Sequence, residues 1–256
     1  MSGVFADRVA IVTGAGAAGG IGAAIAAKLV SEGARVVLGA TSDRIHQRAE
    51  ELGDSAVGVV ADLTVDGAAD TLVTKALEKW GRLDVLVNNA GMTSVSFGAD
   101  SDSEVVDLTL DDWNTAIARN LNTAFLMCRA AVPVMKKAGY GRIVSIGSTT
   151  GVVNAMPGQA TYTAAKAALV GLTQSLALEV VQDGITVNLV APGLIATPSQ
   201  FDFEARSAAS GPAQRSGTPV EIAACAAFLA SESASFVTGA VLVADGGHNL
   251  PESWKS

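Results

Sequence analysis

Short runs of consecutive apolar, largely β-branched residues alternate with longer alanine-rich stretches whose apolar positions recur at helical spacing. The short runs predict strands at Arg8–Thr13, Arg35–Gly39, Ala56–Val60, Leu83–Val87, Gly141–Ile146, Ile185–Val190 and Ala240–Val243. The longer stretches predict helices near Ile21–Ser31, Asp43–Leu52, Gly67–Trp80, Leu110–Lys137, Gln159–Val181 and Pro219–Ala230. Strands that are apolar at successive positions suit a parallel sheet covered by helices on both faces. Strand and helix alternate without a repeat, a low-complexity linker or a shift in composition. The pattern predicts one α/β domain over residues 1–256, built on a doubly wound, seven-stranded parallel sheet. Two stretches break the rhythm: the acidic Met92–Asp107 and the proline-containing, small-residue-rich Leu194–Gly217. Both are expected after strand C-termini, the edge where such sheets bind ligands, and both are expected to act as substrate walls or lids.

Composition narrows the function classes. The 256 residues carry 17 basic and 25 acidic side chains, a net charge of −8, which argues against nucleic acid or an anionic membrane as partner. No uninterrupted apolar run is long enough to span a bilayer, and the opening Met1–Arg8 lacks an apolar signal core, so a cytoplasmic protein is expected. Cys128 and Cys225 lie in separate helical patterns, as expected of two buried thiols in a reducing compartment. His46 and His248 have no ligand spacing around them, so no metal site is expected, and a histidine-dependent serine hydrolase is poorly supported.

The candidate chemistry centres on Tyr162-x-x-x-Lys166, with Ser148 fourteen positions upstream of the tyrosine. Four residues along a helix bring the phenol and the ammonium to one face. A cation there is expected to favour the phenolate and lower the tyrosine pKa from about 10. A serine hydroxyl close by can hold a carbonyl or alcohol oxygen while the tyrosine moves the proton. The first strand runs into Thr13-Gly14-Ala-Gly16-Ala-Ala-Gly19-Gly20-Ile21-Gly22, where a helix opens. Glycines there let backbone approach a pyrophosphate at a helix N-terminus, the dinucleotide arrangement of a Rossmann-type sheet. At the end of the second strand, Ala40 stands where an NAD-binding acid is expected, followed by Thr41, Ser42 and Arg44, which suit a 2′-phosphate. Asp43 is expected to cap the next helix. NADP(H) is therefore favoured over NAD(H).

Taken in order, these residues together with Asp62-Leu63, Asn88-Asn89-Ala90-Gly91, Asn120 and Pro192-Gly193 resemble the short-chain dehydrogenase/reductase family along essentially the whole chain. Met135 to Ser148, Phe228 to Gly239 and Asp245-Gly-Gly247 are most similar to bacterial 3-oxoacyl-acyl-carrier-protein reductases. The resemblance implies an NAD(P)(H)-dependent oxidoreductase that interconverts a ketone and a secondary alcohol. It implies a catalytic set of Asn120, Ser148, Tyr162 and Lys166: Tyr162 as acid or base, Ser148 on the substrate oxygen, and Asn120 anchoring a water that leads from Lys166 to solvent. It further implies that Lys166 holds the nicotinamide ribose, that Asp62 and Leu63 contact the adenine, and that Asn89, Ala90 and Gly91 line the cofactor path. Pro192, Gly193, Ile195 and Thr197 would hold the carboxamide and present the B-face hydride, while Gly14, Gly20, Ile21 and Gly22 would cradle the pyrophosphate.

The chain departs from the family pattern in three places. Its glycine loop is two residues longer, it has no Arg or Lys between Gly14 and Gly20, and Met92–Asp107 is longer and more acidic than in the carrier-protein reductases. Acyl carrier proteins are acidic, so this rim places an acyl-carrier-protein partner below a small free ketone or alcohol. Phe201 and Phe203 in the lid suggest a medium-sized, partly apolar substrate. A cofactor-binding regulator without catalysis is the least favoured reading, since the full relay is present. A sugar epimerase or dehydratase would be expected to carry a larger C-terminal substrate portion. The resemblance also implies a homotetramer through Leu110–Lys137, Gln159–Val181 and the last strand with its tail, with a dimer as the fallback.

Overall fold

The structure is a computed structural model that describes residues 3–91 and 103–250. The strands are β1 (Val9–Thr13), β2 (Arg35–Ala40), β3 (Ala56–Val60), β4 (Val85–Asn88), β5 (Gly141–Ile146), β6 (Ile185–Pro192) and β7 (Val241–Ala244). They form one parallel sheet in the order β3-β2-β1-β4-β5-β6-β7. The helices are α1 (Ile21–Ser31), α2 (Arg44–Glu50), α3 (Ala68–Trp80), α4 (Leu110–Ile117), α5 (Thr123–Ala138), the single turn α6 (Thr149–Val152), α7 (Ala160–Val180), α8 (Asp202–Ser210) and α9 (Pro219–Ala230).

The two-sided burial read from the strands is realised residue by residue. Ala10 and Val12 of β1, Val85 and Val87 of β4, and Val144 and Ile146 of β5 join the core beneath α1 and α9. Their neighbours Val9, Ile11, Leu86 and Ile143 join the opposite core with Leu72, Met127 and Met135 from α3 and α5. A period of two thus feeds two separate cores. The strand order reverses between β1 and β4, and their C-termini end side by side at Thr13 and Asn88. This is the switch point at which doubly wound sheets open a ligand crevice.

Three elements differ from the sequence reading. The helix expected over Leu110–Lys137 is interrupted by a π-helical turn at Ala118–Asn122. The expected loop Leu194–Gly217 contains α8, whose first turn carries Asp202 and Glu204 where acids favour a helix start. Of the two expected buried thiols, Cys128 is buried but Cys225 is only partly so. Within Met92–Asp107, residues 92–102 lie outside the described residues, and Val105–Asp107 forms one 3₁₀ turn. Among the described residues one helical stretch, Ala160–Asp183, is long and apolar enough to cross a membrane. Here it buries Ala165, Lys166, Leu169, Thr173, Ala177 and Val180 within the fold.

At the N-terminal edge of the sheet a charged clamp holds the strand starts. The buried Asp84 carboxylate accepts from the Val9 amide at 2.9 Å, from Arg8 at 3.1 Å and from Arg82 at 2.8 and 2.6 Å. Arg8 and Arg142 lie over the Tyr140 ring, 3.9 and 4.3 Å from its centroid, and both reach Glu232. Truncating the carboxylate orphans the buried Val9 amide and removes both Arg82 hydrogen bonds, while Arg8 keeps Glu232. Asp84→Ala is therefore expected to destabilise the fold by about 3–5 kcal/mol in denaturant titration. A loss below about 1 kcal/mol would contradict the assigned role of the clamp.

Candidate active site

The site is assembled where β1, β4, β5 and β6 end. Thr13 closes β1, and its Oγ1 accepts from the amides of Asn89 (3.0 Å) and Ala90 (2.9 Å) while donating to Val87 O (3.4 Å). The Asn89 side-chain Nδ2 donates to the carbonyls of Thr13 (3.1 Å) and Gly14 (3.0 Å). Two strand ends are thereby tied together across the crevice. The knot is so tight that a Cβ on Gly14 would stand 2.9 Å from the Ala90 backbone, in a residue already at φ +66°. A Cβ on Gly22 would lie 2.6 Å from Asn89 Nδ2. Close approach demands glycine at both positions, and the left-handed φ demands it again at Gly14.

The residues present fit a bound dinucleotide. Helix α1 starts after Gly20 with no side-chain cap and no acid in its first turn, leaving its N-terminal amides to an anion. Gly16 lies against Ala40, its Cβ position only 2.9 Å from the Ala40 methyl, so small residues flank the space at the end of β2. There Thr41 and Arg44 are exposed, and Arg44 Nε donates to Ser42 Oγ at 3.3 Å. Asp43 occupies the N-cap position of α2, but its side chain makes no cap bond, contrary to expectation. Asp62 accepts from the amide (3.0 Å) and hydroxyl (2.7 Å) of Thr64, and these bonds hold its carboxyl below the usual range. Leu63 is buried in the core.

On the far side of the crevice, Ser148 follows β5 and begins α6, where its Oγ accepts from the Thr150 amide at 3.1 Å. The Ser148 side chain stands near enough to Tyr162 to draw its pKa downward. Lys166, one turn further along α7, is 5% exposed, donates to Ile146 O at 3.1 Å, and has its Nζ 5.6 Å from the Tyr162 ring centroid. Asn120 lies in the π-helical turn, and its amide donates to Ala116 O at 3.1 Å. A Cβ on Gly91 would stand 2.9 Å from Asn120 Oδ1 and 3.3 Å from Lys166 Nζ. Asn120, Gly91 and Lys166 therefore converge on one point, and the π turn is what carries Asn120 there.

The electrostatics reverse one sequence expectation. Tyr162 is not lowered. Burial pushes its phenol above the ordinary range, the Ser148 side chain pulls it back, and the charge of Glu204 pushes it up further. Burial lowers Lys166 to about 8. Desolvation outweighs the attraction expected from spacing alone, because both groups are driven toward their neutral forms. Glu204 was not singled out by sequence reading, since it lies on α8, within the stretch taken as loop.

Pro192 ends β6, and Gly193 packs so closely on the last strand's exit that its Cβ would stand 2.7 Å from Asp245 Cβ. Ile195 is buried and bridges Gly217, and Thr197 Oγ1 lies 3.1 Å from Ser199 Oγ. Pro198 passes over the glycine loop, 3.6 Å from where a Gly19 Cβ would be. Phe201, at the N-cap of α8, and Phe203, in its first turn, stack with centroids 5.7 Å apart, both exposed.

Residues 14–249 match a family profile described as Enoyl-(Acyl carrier protein) reductase. The chain is 40% identical to the 3-oxoacyl-[acyl-carrier-protein] reductase FabG of Salmonella typhimurium over 248 residues, covering 95% of this chain and 98% of that one. The FabG of Escherichia coli gives the same figures. The oxidoreductase UcpA of Escherichia coli is 36% identical over 98% of both chains. The chain belongs to the short-chain dehydrogenase/reductase family. It is a nicotinamide-dependent oxidoreductase acting on CH–OH and C=O groups.

A lysine held near 8 is mostly charged at pH 7 and mostly neutral above about pH 9. NMR of isotopically labelled lysine side chains should therefore show one signal titrating near pH 8 that is absent from Lys166→Met. A Lys166 signal titrating in the ordinary lysine range would contradict its burial.

Proposed function

We propose that this protein reduces small free ketones, and oxidises the matching secondary alcohols, using NADP(H) in preference to NAD(H). The observation that carries the reading is the Ser148–Tyr162–Lys166 group, with Lys166 buried, at the switch-point crevice. When bound, the nicotinamide supplies or accepts the hydride; the chain's own residues handle the proton. In this reading the Tyr162 phenol, kept protonated by burial and by Glu204, gives its proton to the substrate oxygen in reduction and takes one back in oxidation. Ser148 Oγ accepts from Thr150, which leaves its one proton to turn between the phenol and that oxygen. Lys166 orients the cofactor ribose and replenishes the phenol's proton, with Asn120 leading the relay toward solvent.

For the cofactor, Gly14, Gly20, Ile21 and Gly22 cradle the pyrophosphate, Asp62 and Leu63 bound the adenine, and Asn89, Ala90 and Gly91 line the path between. Pro192, Gly193, Ile195 and Thr197 take the carboxamide. Ala40 in place of an acid, followed by Thr41, Ser42 and the exposed Arg44, supports the 2′-phosphate. The chain acts as one domain and works in the cytoplasm as a homotetramer. Exposed Phe125, Leu178 and Val181 on and beside α5 and α7, and Phe236 and Val243 near the last strand, support two self-contacts.

A second reading is reduction of 3-oxoacyl chains on an acyl carrier protein, favoured by the 40% identity to enzymes named for that activity. The acidic stretch before α4 opposes an acidic carrier, and Lys136, a candidate docking cation, is paired with Asp183 at 3.0 Å. Fluorescence titration should give tighter binding of NADPH than NADH, with Arg44→Ala weakening NADPH by about tenfold and NADH little. Equal loss for both would contradict the phosphate pocket. Free ketones should be reduced with no acceleration when the acyl group is attached to carrier protein; strong acceleration would establish the second reading.

A further inference from the structure

We infer that the turn after the last strand, Asp245–Asn249, is a positioning element that fixes the Ser148 turn and the lid relative to one another. The inference rests on the ketone/alcohol reading of the site and adds Asn154, Asp245 and Asn249 to it as positioning residues. Asp245 organises the turn: Oδ1 accepts from Gly247 N at 2.9 Å, and Oδ2 accepts from Asn249 N at 3.1 Å and from its side-chain amide at 2.9 Å. Burial alone would raise this carboxyl, but these bonds outweigh it and hold it below the usual range. With its amide nitrogen committed to Asp245, Asn249 presents its Oδ1 outward, where it accepts from Asn154 Nδ2 at 2.6 Å.

Asn154 in turn closes the segment opened by Ser148. Its amide donates to Thr149 O at 3.0 Å and its carbonyl accepts from Gly151 N at 2.8 Å. A chain of three side chains thus runs from β7 to the turn that aims the Ser148 hydroxyl. The opposite side of the same turn packs on the exit of the lid helix. A Cβ on Gly211 would stand 2.5 Å from His248 Nδ1, and one on Gly246 would stand 2.8 Å from the Ala213 methyl. Asp245 also backs Gly193 at the end of β6. One turn therefore touches three walls of the crevice. The Asn154–Asn249 bond is exposed, so its loss should loosen local geometry with little effect on global stability.

The test is a double-mutant cycle on the full chain with Asn154→Ala and Asn249→Ala. Each single variant is expected to lower kcat/KM for ketone reduction by about tenfold, and the double variant to be no worse than either, with NADPH affinity unchanged. Additive losses, or kcat/KM unchanged in either single variant, would overturn the inference. Hydrogen exchange gives a readout independent of turnover. In Asn249→Ala, residues 149–154 and 202–213 should exchange faster while β1 and β4 do not. Unchanged exchange in both segments, or acceleration throughout the sheet, would overturn it even if the wild-type protein reduced no ketone, an outcome that would instead count against the ketone reading. Asn154→Ser and Asn249→Ser replace the alanine variants should either fold poorly.

Discussion

Burial of the Lys166 amine is the constraint on which the rest of the site depends. A lysine in a dry interior tends to lose its proton or to find compensating acceptors. Here the Ile146 carbonyl at the end of β5 supplies one, and the Tyr162 ring flanks the amine. That arrangement needs α7 laid against the sheet, β5 ending at that height, and a residue without a side chain at Gly91. It also needs Asn120 brought inward by the π turn. Changing any one of these partners would leave the amine without its present shape of pocket.

The same dryness drives both titratable groups toward their neutral forms. The phenol is held above its ordinary range and the amine is lowered to about 8, so the resting pair is a protonated tyrosine beside a lysine that exchanges protons near neutral pH. In the proposed function such a pair donates to a substrate oxygen and then recovers the proton. Glu204 adds to this from α8, making protonation of the phenol partly a function of where that helix lies. The end of α8, the Ser148 turn and the last strand meet in the Asp245–Asn249 turn.

Much of this was legible in the sequence, for identifiable reasons. Short runs apolar at consecutive positions marked all seven strands to within two residues, because a parallel sheet buried on both faces leaves little freedom in composition. The proximity of Tyr162, Lys166 and Ser148 followed from helix periodicity and strand placement. What spacing could not give was depth. The expectation of a lowered tyrosine assumed a cation acting through a polar medium, whereas burial dominates. The break at Ala118–Asn122 has no glycine or proline to announce it, since it arises from packing of Asn120 against Gly91 and α7. Helix α8 hid among small and polar residues, although Asp202 and Glu204 in its first turn are the sign that could have found it. The Asn154–Asn249 tether joins residues 95 positions apart and leaves no local trace.

The most direct test of the account is the Tyr162→Phe substitution, which deletes one oxygen and leaves the ring and the helix in place. Nicotinamide binding should stay within about twofold of the wild-type value while turnover falls by at least about 100-fold. Retained turnover would contradict the assignment of the proton to Tyr162. Lost cofactor binding would mean that the phenol serves the binding site rather than the chemistry.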